Sequence, residues 1–502
     1  PWVVSARSEG ALSGQLERLR SFVPVSGAGA VDVAWSLVSS RAVFERRAVV
    51  VDGDWDGVVR GGVGEVGPGP VFVFPGQGSQ WAGMAVELLD SSPVFAKLLA
   101  ECDRVIGRFV DWSVIEVLRA SVSAETVEDS PLGRIEVLQP VLFAVMVSLA
   151  GLWRSVGVVP AAVVGHSQGE IAAACVAGAL SLEDAARVVV ARSRLFADEL
   201  VGRGAVASVA LPRDEVEELL SGFGEGLSVA GVNGPAAVTV AGPVGELEGL
   251  VAACVERGVR ARVIASTVAS HGVQVEPLRD RLVGLLEGVE ARSGDVPLYS
   301  TVTGGVVDSA GLGPEYWFEN ARRPVDFMGA VESLVGDGFR VFVEVSAHPV
   351  LLVGVEQTLE AVGVEGVTVP SLRRGEGGPA RFVRSLAQAW VSGVKVEWPA
   401  LFAGTGAVRV DLPTYAFDHQ RYWPKPTETT HSTATGDPAD AHFWAAVEQA
   451  DLDSLASALG VADEAERASL SAVLPTLSAW REKRRARATV DSWRYTDSWT
   501  PL

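Results

Sequence analysis

The chain has 502 residues, 48% hydrophobic and 21% charged, a composition that supports several packed cores and excludes a wholly disordered protein. Its 62 acidic and 42 basic residues leave a net charge of −20, which disfavours wholesale attraction to nucleic acid or anionic membrane, so a phosphate-bearing partner needs a local basic patch. Cys102, Cys175 and Cys254 lack paired spacing, and the six histidines lack ligand spacing, so neither a disulfide framework nor a metal site is expected; a reducing cytoplasm fits.

In chain order, residues 1–69 read as strand (1–6), helix (9–23), helix (31–43) and strand (46–51), closed by a glycine-rich hinge, GGVGEVGPGP. A unit so small is expected to pack on a neighbour. From Val71 the buried strand VFVFPG opens an α/β region, residues 70–395, in which apolar strands at 161–164 and 340–345 alternate with amphipathic helices. The most apolar stretch, Val141 to Trp153, reads as too short to span a bilayer, and no signal-like segment opens the chain. Starting at Pro1, the chain reads as a segment of a longer polypeptide. Between about 200 and 268, strand-like AVASVAL and AAVTVAG alternate with helical EVEELLSG and ELEGLVAACVERG, predicting a βαββαβ insert of ferredoxin-like type.

Residues 396–424 contain DLPTYAFDHQRYW, which suits either a strap across a surface or an edge strand. A Pro, Thr and Ser-rich linker follows at 425–440. Within 441–489 two helices are expected, 442–459 and 462–487, the second ending in the basic run Arg481-Glu482-Lys483-Arg484-Arg485 that matches a helix C-terminus. Residues 490–502 read as the start of a strand. The whole is an α/β protein: a large subdomain of α/β-hydrolase-like type with a ferredoxin-like insert, flanked by a small α+β unit and a C-terminal helical element.

The chemistry centres on Gly165-His166-Ser167-Gln168-Gly169, between a short apolar strand and small helix-favouring residues. This is the pattern of a nucleophile elbow, which sets a serine beside unpaired N–H groups at a helix start. The motif by itself fits a lipase-like hydrolase, a transferase or a tight turn. Four further segments narrow it: Phe74-Pro75-Gly76-Gln77-Gly78-Ser79-Gln80, which brings backbone N–H groups to a strand end; Arg192 within RVVVARSRLF; Val268-Ala269-Ser270-His271, with a candidate base; and Tyr316 to Val325, YWFENARRPV, with Asn320 before a proline turn. On residue type alone Arg192 reads as a solvated surface charge, and His166 is a rival candidate for the base.

Together these segments resemble the malonyl-CoA:acyl-carrier-protein transacylase family, most closely the acyltransferase domain of modular type I polyketide synthases, and the likeness covers nearly the whole chain. It implies a ketosynthase-to-acyltransferase linker at 1–69, the acyltransferase at 70–395, a post-acyltransferase linker at 396–424, a helical dimerisation element at 441–489 and the start of a ketoreductase region at 490–502. It further implies Ser167 as nucleophile, His271 as base, Asn320 as the group holding the imidazole, the N–H groups of Gln77 and Gln168 as oxyanion hole, and Arg192 as the grip on a malonyl carboxylate. No permanently bound cofactor is implied. The resemblance implies acyl-CoA as the substrate, the phosphopantetheine of an acyl carrier protein as the acceptor, and the neighbouring ketosynthase and ketoreductase domains and a second copy of the chain as partners. A serine esterase would share Ser167 and His271 but has no use for Arg192, and an idle scaffold would need none of the three.

For the extender unit, Gln168 and the segment Arg134 to Gln139 accompany α-branched substrates in that family, whereas HAFH at 268–271 accompanies malonyl and YASH methylmalonyl. Here the segment is VASH, followed by Gly272 where serine is commoner. Valine in place of tyrosine opens space, so Val268, Ala269, Ser270, Gln139 and Gln168 are expected to select ethylmalonyl or a bulkier alkylmalonyl unit, with methylmalonyl as the alternative.

Overall fold

A six-stranded sheet lies at the centre of the first of two units, residues 1–419; the second is 420–502. The computed structural model describes residues 1–264, 268–418 and 437–494. The sheet order is Gly305–Val307, Leu298–Ser300, Ala162–Gly165, Pro70–Phe74, Val341–Glu344, Val367–Pro370, parallel except for the antiparallel edge strand Gly305–Val307. Alternate residues divide between two cores: Phe72, Phe74, Val163 and Val343 join one cluster, and Val71, Val73, Val164 and Phe342 another. Period-two alternation with apolar residues in both sets is what a strand covered on both faces requires. Pairing of Phe74 with Gly165 brings the ends of two adjacent parallel strands to the same edge, where the loops carrying Gln77 and Ser167 begin.

The helix Ile135–Ser155 is longer than the apolar stretch read from sequence. By length and composition it could cross a membrane, but 83% of its most apolar window is buried within the protein, as in a core helix. Its Trp153 packs edge-on against Phe382, ring centroids 5.0 Å apart, and donates to Ser371 Oγ at 2.8 Å.

Residues 200–268 contribute strand Ala205–Val209, helix Arg213–Leu220, strands Ser228–Gly234 and Ala237–Gly242, helix Val244–Glu256 and strand Ala261–Ile264. Their sheet places Ala205–Val209 between Ala237–Gly242 and Ala261–Ile264, with Ser228–Gly234 beyond Ala237–Gly242, all antiparallel. The short strand Val325–Asp326 adds in parallel to Ser228–Gly234.

At the N-terminus the two strands expected are Trp2–Ala6 and Arg46–Val50, which pair antiparallel, but a third, Val59–Gly62, occupies part of the stretch read as a hinge. Close approach is the reason for glycine there: a Cβ on Gly61 would lie 2.9 Å from Val391 Cγ2. Of DLPTYAFDHQRYW, residues 411–423, read as a strap or an edge strand, 411–418 are described, and with 407–410 they run along the N-terminal helices without strand pairing. No strand forms; instead Val408 N–H donates to Asp32, Val410 N–H to Ser36 Oγ, and Arg18 and Arg41 donate to the carbonyls of Thr414, Tyr415 and Pro413. Pro413 and the side-chain bonding of the N–H groups leave no ladder to build. His419 and residues 420–436 lie outside the described residues, with most of the expected 425–440 linker; so do 495–502 of the expected terminal strand.

In the second unit the stretch 442–459 is two helices, Pro438–Glu448 and Leu452–Leu459. They part at Ala450, whose φ is 54°, and at Asp451, whose carboxylate accepts from the N–H groups of Asp453 and Ser454. The third helix, Glu464–Ser492, runs beyond the basic run, so those charges do not mark its end. Arg481 and Arg485 pair instead with Glu448, and Arg481 lies 4.7 Å from the Trp444 ring centroid. Asp451→Ala is expected to cost about 1 kcal/mol of local stability. Hydrogen exchange of residues 452–459 in the whole chain should accelerate several-fold; unchanged protection would show that the cap is idle.

Candidate active site

Ser167 sits between the strand Ala162–Gly165 and the helix Gly169–Ala177 with φ at 55°, a left-handed backbone unusual for a residue bearing a Cβ. The turn is closed by Gly169 N–H donating to His166 O at 2.9 Å and Glu170 N–H to Ser167 O at 3.1 Å. Only glycine fits at 169, because a Cβ there would lie 2.2 Å from Phe74 O and 2.4 Å from Pro75 O. The sharp turn leaves Ser167 Oγ 2.6 Å from His271 Nε2.

His271 also has a left-handed backbone, φ 62°, and its N–H donates to Ala321 O at 3.0 Å. Its Nδ1 lies 3.0 Å from the carbonyl of Arg323. A carbonyl only accepts, so Nδ1 carries the proton and Nε2 is free to accept from Ser167. This corrects the expectation that Asn320 holds the imidazole. Pro324 keeps Arg323 extended, at φ −77° and ψ 153°, which turns its carbonyl out of the helix Pro314–Arg322 and onto the ring. Asn320, buried on that helix, instead directs Nδ2 to Ser167 O at 3.4 Å and to Glu170 Oε2 at 3.3 Å.

Arg192 is 3% exposed, against the surface reading. Ser181 caps the helix Leu182–Glu199, whose inward stripe is Ala185, Val188, Val189, Arg192, Leu195 and Phe196, so helical spacing carries the guanidinium inside. There its Nη2 donates to Ser167 Oγ at 3.1 Å, its Nη1 approaches Asn320 Oδ1 at 3.4 Å, and its Nε is buried without a partner. Burial lowers its pKa to about 10, opposed by the nearby Glu170, so it stays cationic at neutral pH.

Burial, with the charges of Arg192 and His166, drives the His271 pKa from 6.5 to about 3, so the imidazole stands neutral and ready to take a proton. Acyl loading should therefore stay flat from neutrality down to about pH 5. Removing Arg192 relieves part of the depression, so in Arg192→Ala the acid limb of propionyl loading should move to higher pH. An unmoved limb would show that the charge does not act on His271. The stability sign follows: the unfolded chain binds a proton at His271 below 6.5 that the folded chain refuses, so this contribution is lost as pH falls from 6.5 towards 3.

His166, the rival base, is occupied elsewhere: its Nε2 lies 2.8 Å from Asn233 Oδ1 on strand Ser228–Gly234. His348 Nδ1 accepts from Arg374 N–H at 3.2 Å, and His442 belongs to the second unit. His431 lies outside the described residues. The Gln77 loop abuts the elbow, since a Cβ on Gly76 would lie 3.2 Å from His166 O and 3.6 Å from Ser167 Cβ. Gln168 caps the elbow helix, so its N–H is one of the helix's unpaired donors, while its side-chain amide is buried with neither atom bonded. Gln139 is likewise buried, with Oε1 unpartnered. Val268 is 3% exposed within the main core, Ala269 packs with Ala230 and Ala241, and Ser270 is half-buried. Among the described residues no cluster of metal-ligating side chains occurs.

Two groups escaped the sequence reading. Backbone carbonyls, as at Arg323, carry no residue-type signature. Glu170 did carry one, a carboxylate in the otherwise apolar helix GEIAAACVA, and it is buried with Thr301, Tyr316 and Asn320 around it.

The structure thus gathers a serine on an elbow, a neutral histidine on its hydroxyl and a buried cation beside both. The family described as acyl transferase domain matches residues 71–396, and that described as polyketide synthase dimerisation element domain matches residues 440–487. The chain belongs to the acyltransferase domains of modular polyketide synthases. It is 47% identical over 99% of its length to polyketide synthase GfsA of Streptomyces halstedii, and 46% identical over 87% to erythronolide synthase EryA2 of Saccharopolyspora erythraea, spanning 7% and 12% of those proteins. Among solved structures, the acyltransferase domain from module 8 of the salinomycin polyketide synthase is 49% identical with a TM-score of 0.75, matching 82% of this chain and 98% of that one. The acyltransferase domain of SpnD, in complex with 2-(pent-4-yn-1-yl)malonyl, is 28% identical with a TM-score of 0.68, over 80% and 96%.

Proposed function

We propose that this domain transfers an α-branched malonyl-type extender unit from CoA to the phosphopantetheine thiol of an acyl carrier protein through an acyl-Ser167 intermediate. The observation that carries the reading is the buried Arg192 guanidinium 3.1 Å from Ser167 Oγ, a cation with no use in ester hydrolysis but matched to the free carboxylate of a dicarboxylic thioester. On attack, the Ser167 proton passes to His271 Nε2 while Oγ bonds the thioester carbon, and the N–H groups of Gln77 and Gln168 receive the oxyanion. Collapse breaks the carbon–sulfur bond, and His271 returns the proton to the departing CoA thiolate. The carrier thiol then repeats the sequence in reverse, giving its proton to His271 and freeing Ser167.

Ethylmalonyl or a bulkier alkylmalonyl unit is favoured, with methylmalonyl second. Val268 offers a smaller wall than tyrosine, and a relative's acyltransferase domain holds a malonyl unit with a long α-substituent. Around this site we assign 1–69 as the linker from a ketosynthase, 396–424 as the post-acyltransferase linker and 490–502 as the approach to a ketoreductase. The 441–489 element would pair two copies of the full module, in the cytoplasm. Large-subdomain elbow geometry supports the α/β-hydrolase-like assignment, and the βαββαβ order with its antiparallel sheet supports a ferredoxin-like insert.

Two experiments test this. Acyl-enzyme formed from an alkylmalonyl-CoA should pass its acyl group to holo carrier protein faster than to water; release to water alone would favour an esterase. Val268→Tyr should turn competition from ethylmalonyl-CoA towards methylmalonyl-CoA by several-fold, about 1 kcal/mol. An unchanged ratio would remove Val268 from the selectivity wall.

A further inference from the structure

The carboxylate of Glu170 lies one helical turn past Ser167 in a site where the transfer steps above leave it no part. It is wholly buried and surrounded by donors: Thr301 N–H at 3.2 Å and Thr301 Oγ1 at 2.9 Å both reach Oε2, Asn320 Nδ2 reaches Oε2 at 3.3 Å, and the Tyr316 hydroxyl reaches Oε1. Burying such a group in an apolar helix costs free energy unless every lone pair is answered, so its presence needs a reason beyond packing.

The reason lies across the Asn320 amide. Glu170 Oε2 at 3.3 Å and Ser167 O at 3.4 Å both accept from Nδ2 of Asn320, with the carboxylate the nearer, and this turns Oδ1 to the other side, where Arg192 Nη1 stands at 3.4 Å. With the amide reversed, Nδ2 would confront the guanidinium, donor against donor. Arg192 Nη2 rests on Ser167 Oγ, so the plane of the guanidinium is set by Ser167 at one end and by Asn320 at the other. Because Ser167 and Glu170 ride on the same elbow, the nucleophile and the group that orients the cation move together.

We infer that Glu170 is a positioning residue for dicarboxylic substrates: by fixing the Asn320 amide it aims the Arg192 guanidinium at the place where the substrate's free carboxylate arrives. This rests on the reading of Arg192 as the carboxylate grip. Oε2 serves as an acceptor whether or not the acid is protonated at Oε1, so the device needs an oxygen at that position and not a charge.

The test compares the full chain with Glu170→Ala, Glu170→Gln, Asn320→Leu and Arg192→Ala, reading kcat/KM for acylation by methylmalonyl-CoA and by propionyl-CoA, which differ by the free carboxylate. Glu170→Ala should lower methylmalonyl loading about tenfold or more, with propionyl loading within about threefold of wild type, and Asn320→Leu, which also releases the Ser167 carbonyl, should lower methylmalonyl loading about tenfold more than it lowers propionyl loading. Glu170→Gln, whose amide oxygen can occupy the Oε2 position, should restore methylmalonyl loading to within about threefold. Equal losses for both substrates in Glu170→Ala and Asn320→Leu would overturn the inference and leave Glu170 a structural acid. If Glu170→Ala does not fold, Asn320→Leu and Glu170→Gln decide: a substrate-selective loss in the first with recovery in the second upholds it, and a uniform loss or none overturns it. Arg192→Ala separates the two levels. Should it fail to distinguish the substrates, the grip itself is wrong and the inference falls with it; should it distinguish them while Glu170→Ala and Asn320→Leu do not, the grip stands and the inference alone fails.

Discussion

Ser167→Ala should abolish covalent acylation by acyl-CoA, a loss of roughly a millionfold in turnover, since removing either member of a nucleophile and base pair costs about as much as removing both. The fold should survive. Serine and alanine carry the same Cβ into the left-handed backbone at residue 167, so the substitution adds no strain, and it deletes only the hydroxyl that joins His271 Nε2 and Arg192 Nη2. The measurement is intact mass after incubation with an alkylmalonyl-CoA, alongside a thermal melt. Acylation that persists in the variant would place the nucleophile elsewhere.

Gly169→Ala is expected to produce a large structural effect from a single methyl group beside the site. Its Cβ would enter between the carbonyls of Phe74 and Pro75, at 2.2 and 2.4 Å, which are backbone atoms at the end of a fully buried central strand and cannot swing aside. The clash must push the elbow helix away from that strand, at a cost of about 3 kcal/mol. It also separates Ser167 from the Gln77 loop, so acylation should fall with stability. Gly224→Ala is the control, because nothing lies within 4 Å of its Cβ and its backbone is not left-handed. Equal melting of both variants would show that the elbow tolerates the opening.

Much of this site was legible because its chemistry is carried by side chains at fixed intervals. Ser167 announces itself by flanking glycines, and the βαββαβ alternation between 205 and 264 by its change of period. Arg192 shows where local reading fails: residue type says surface, and only the phase of the helix, with Val188, Val189, Leu195 and Phe196 on the same stripe, places it inside. The role first given to Asn320 failed for a different reason. The imidazole is held by the Arg323 carbonyl, and a carbonyl belongs to every residue; the only trace in sequence is Pro324, which fixes the direction of the peptide before it. The strand Val59–Gly62 was hidden because Gly61, which read as part of a hinge, is there to admit Val391. Ala450 and Asp451 hid a helix break within a run that is otherwise uniformly helix-favouring.

What reaches Ser167 when substrates compete decides whether the carboxylate at Arg192 selects the substrate. Wild-type chain should be mixed with equal amounts of ethylmalonyl-CoA, methylmalonyl-CoA and propionyl-CoA, then digested, and the peptide containing residues 163–178 weighed. The expected result is a dicarboxylic acyl group on Ser167, ethylmalonyl at least as abundant as methylmalonyl, with propionyl a minor product. Propionyl in equal yield, or acyl groups absent from Ser167, would contradict a serine acyltransferase that selects its substrate by the carboxylate held at Arg192.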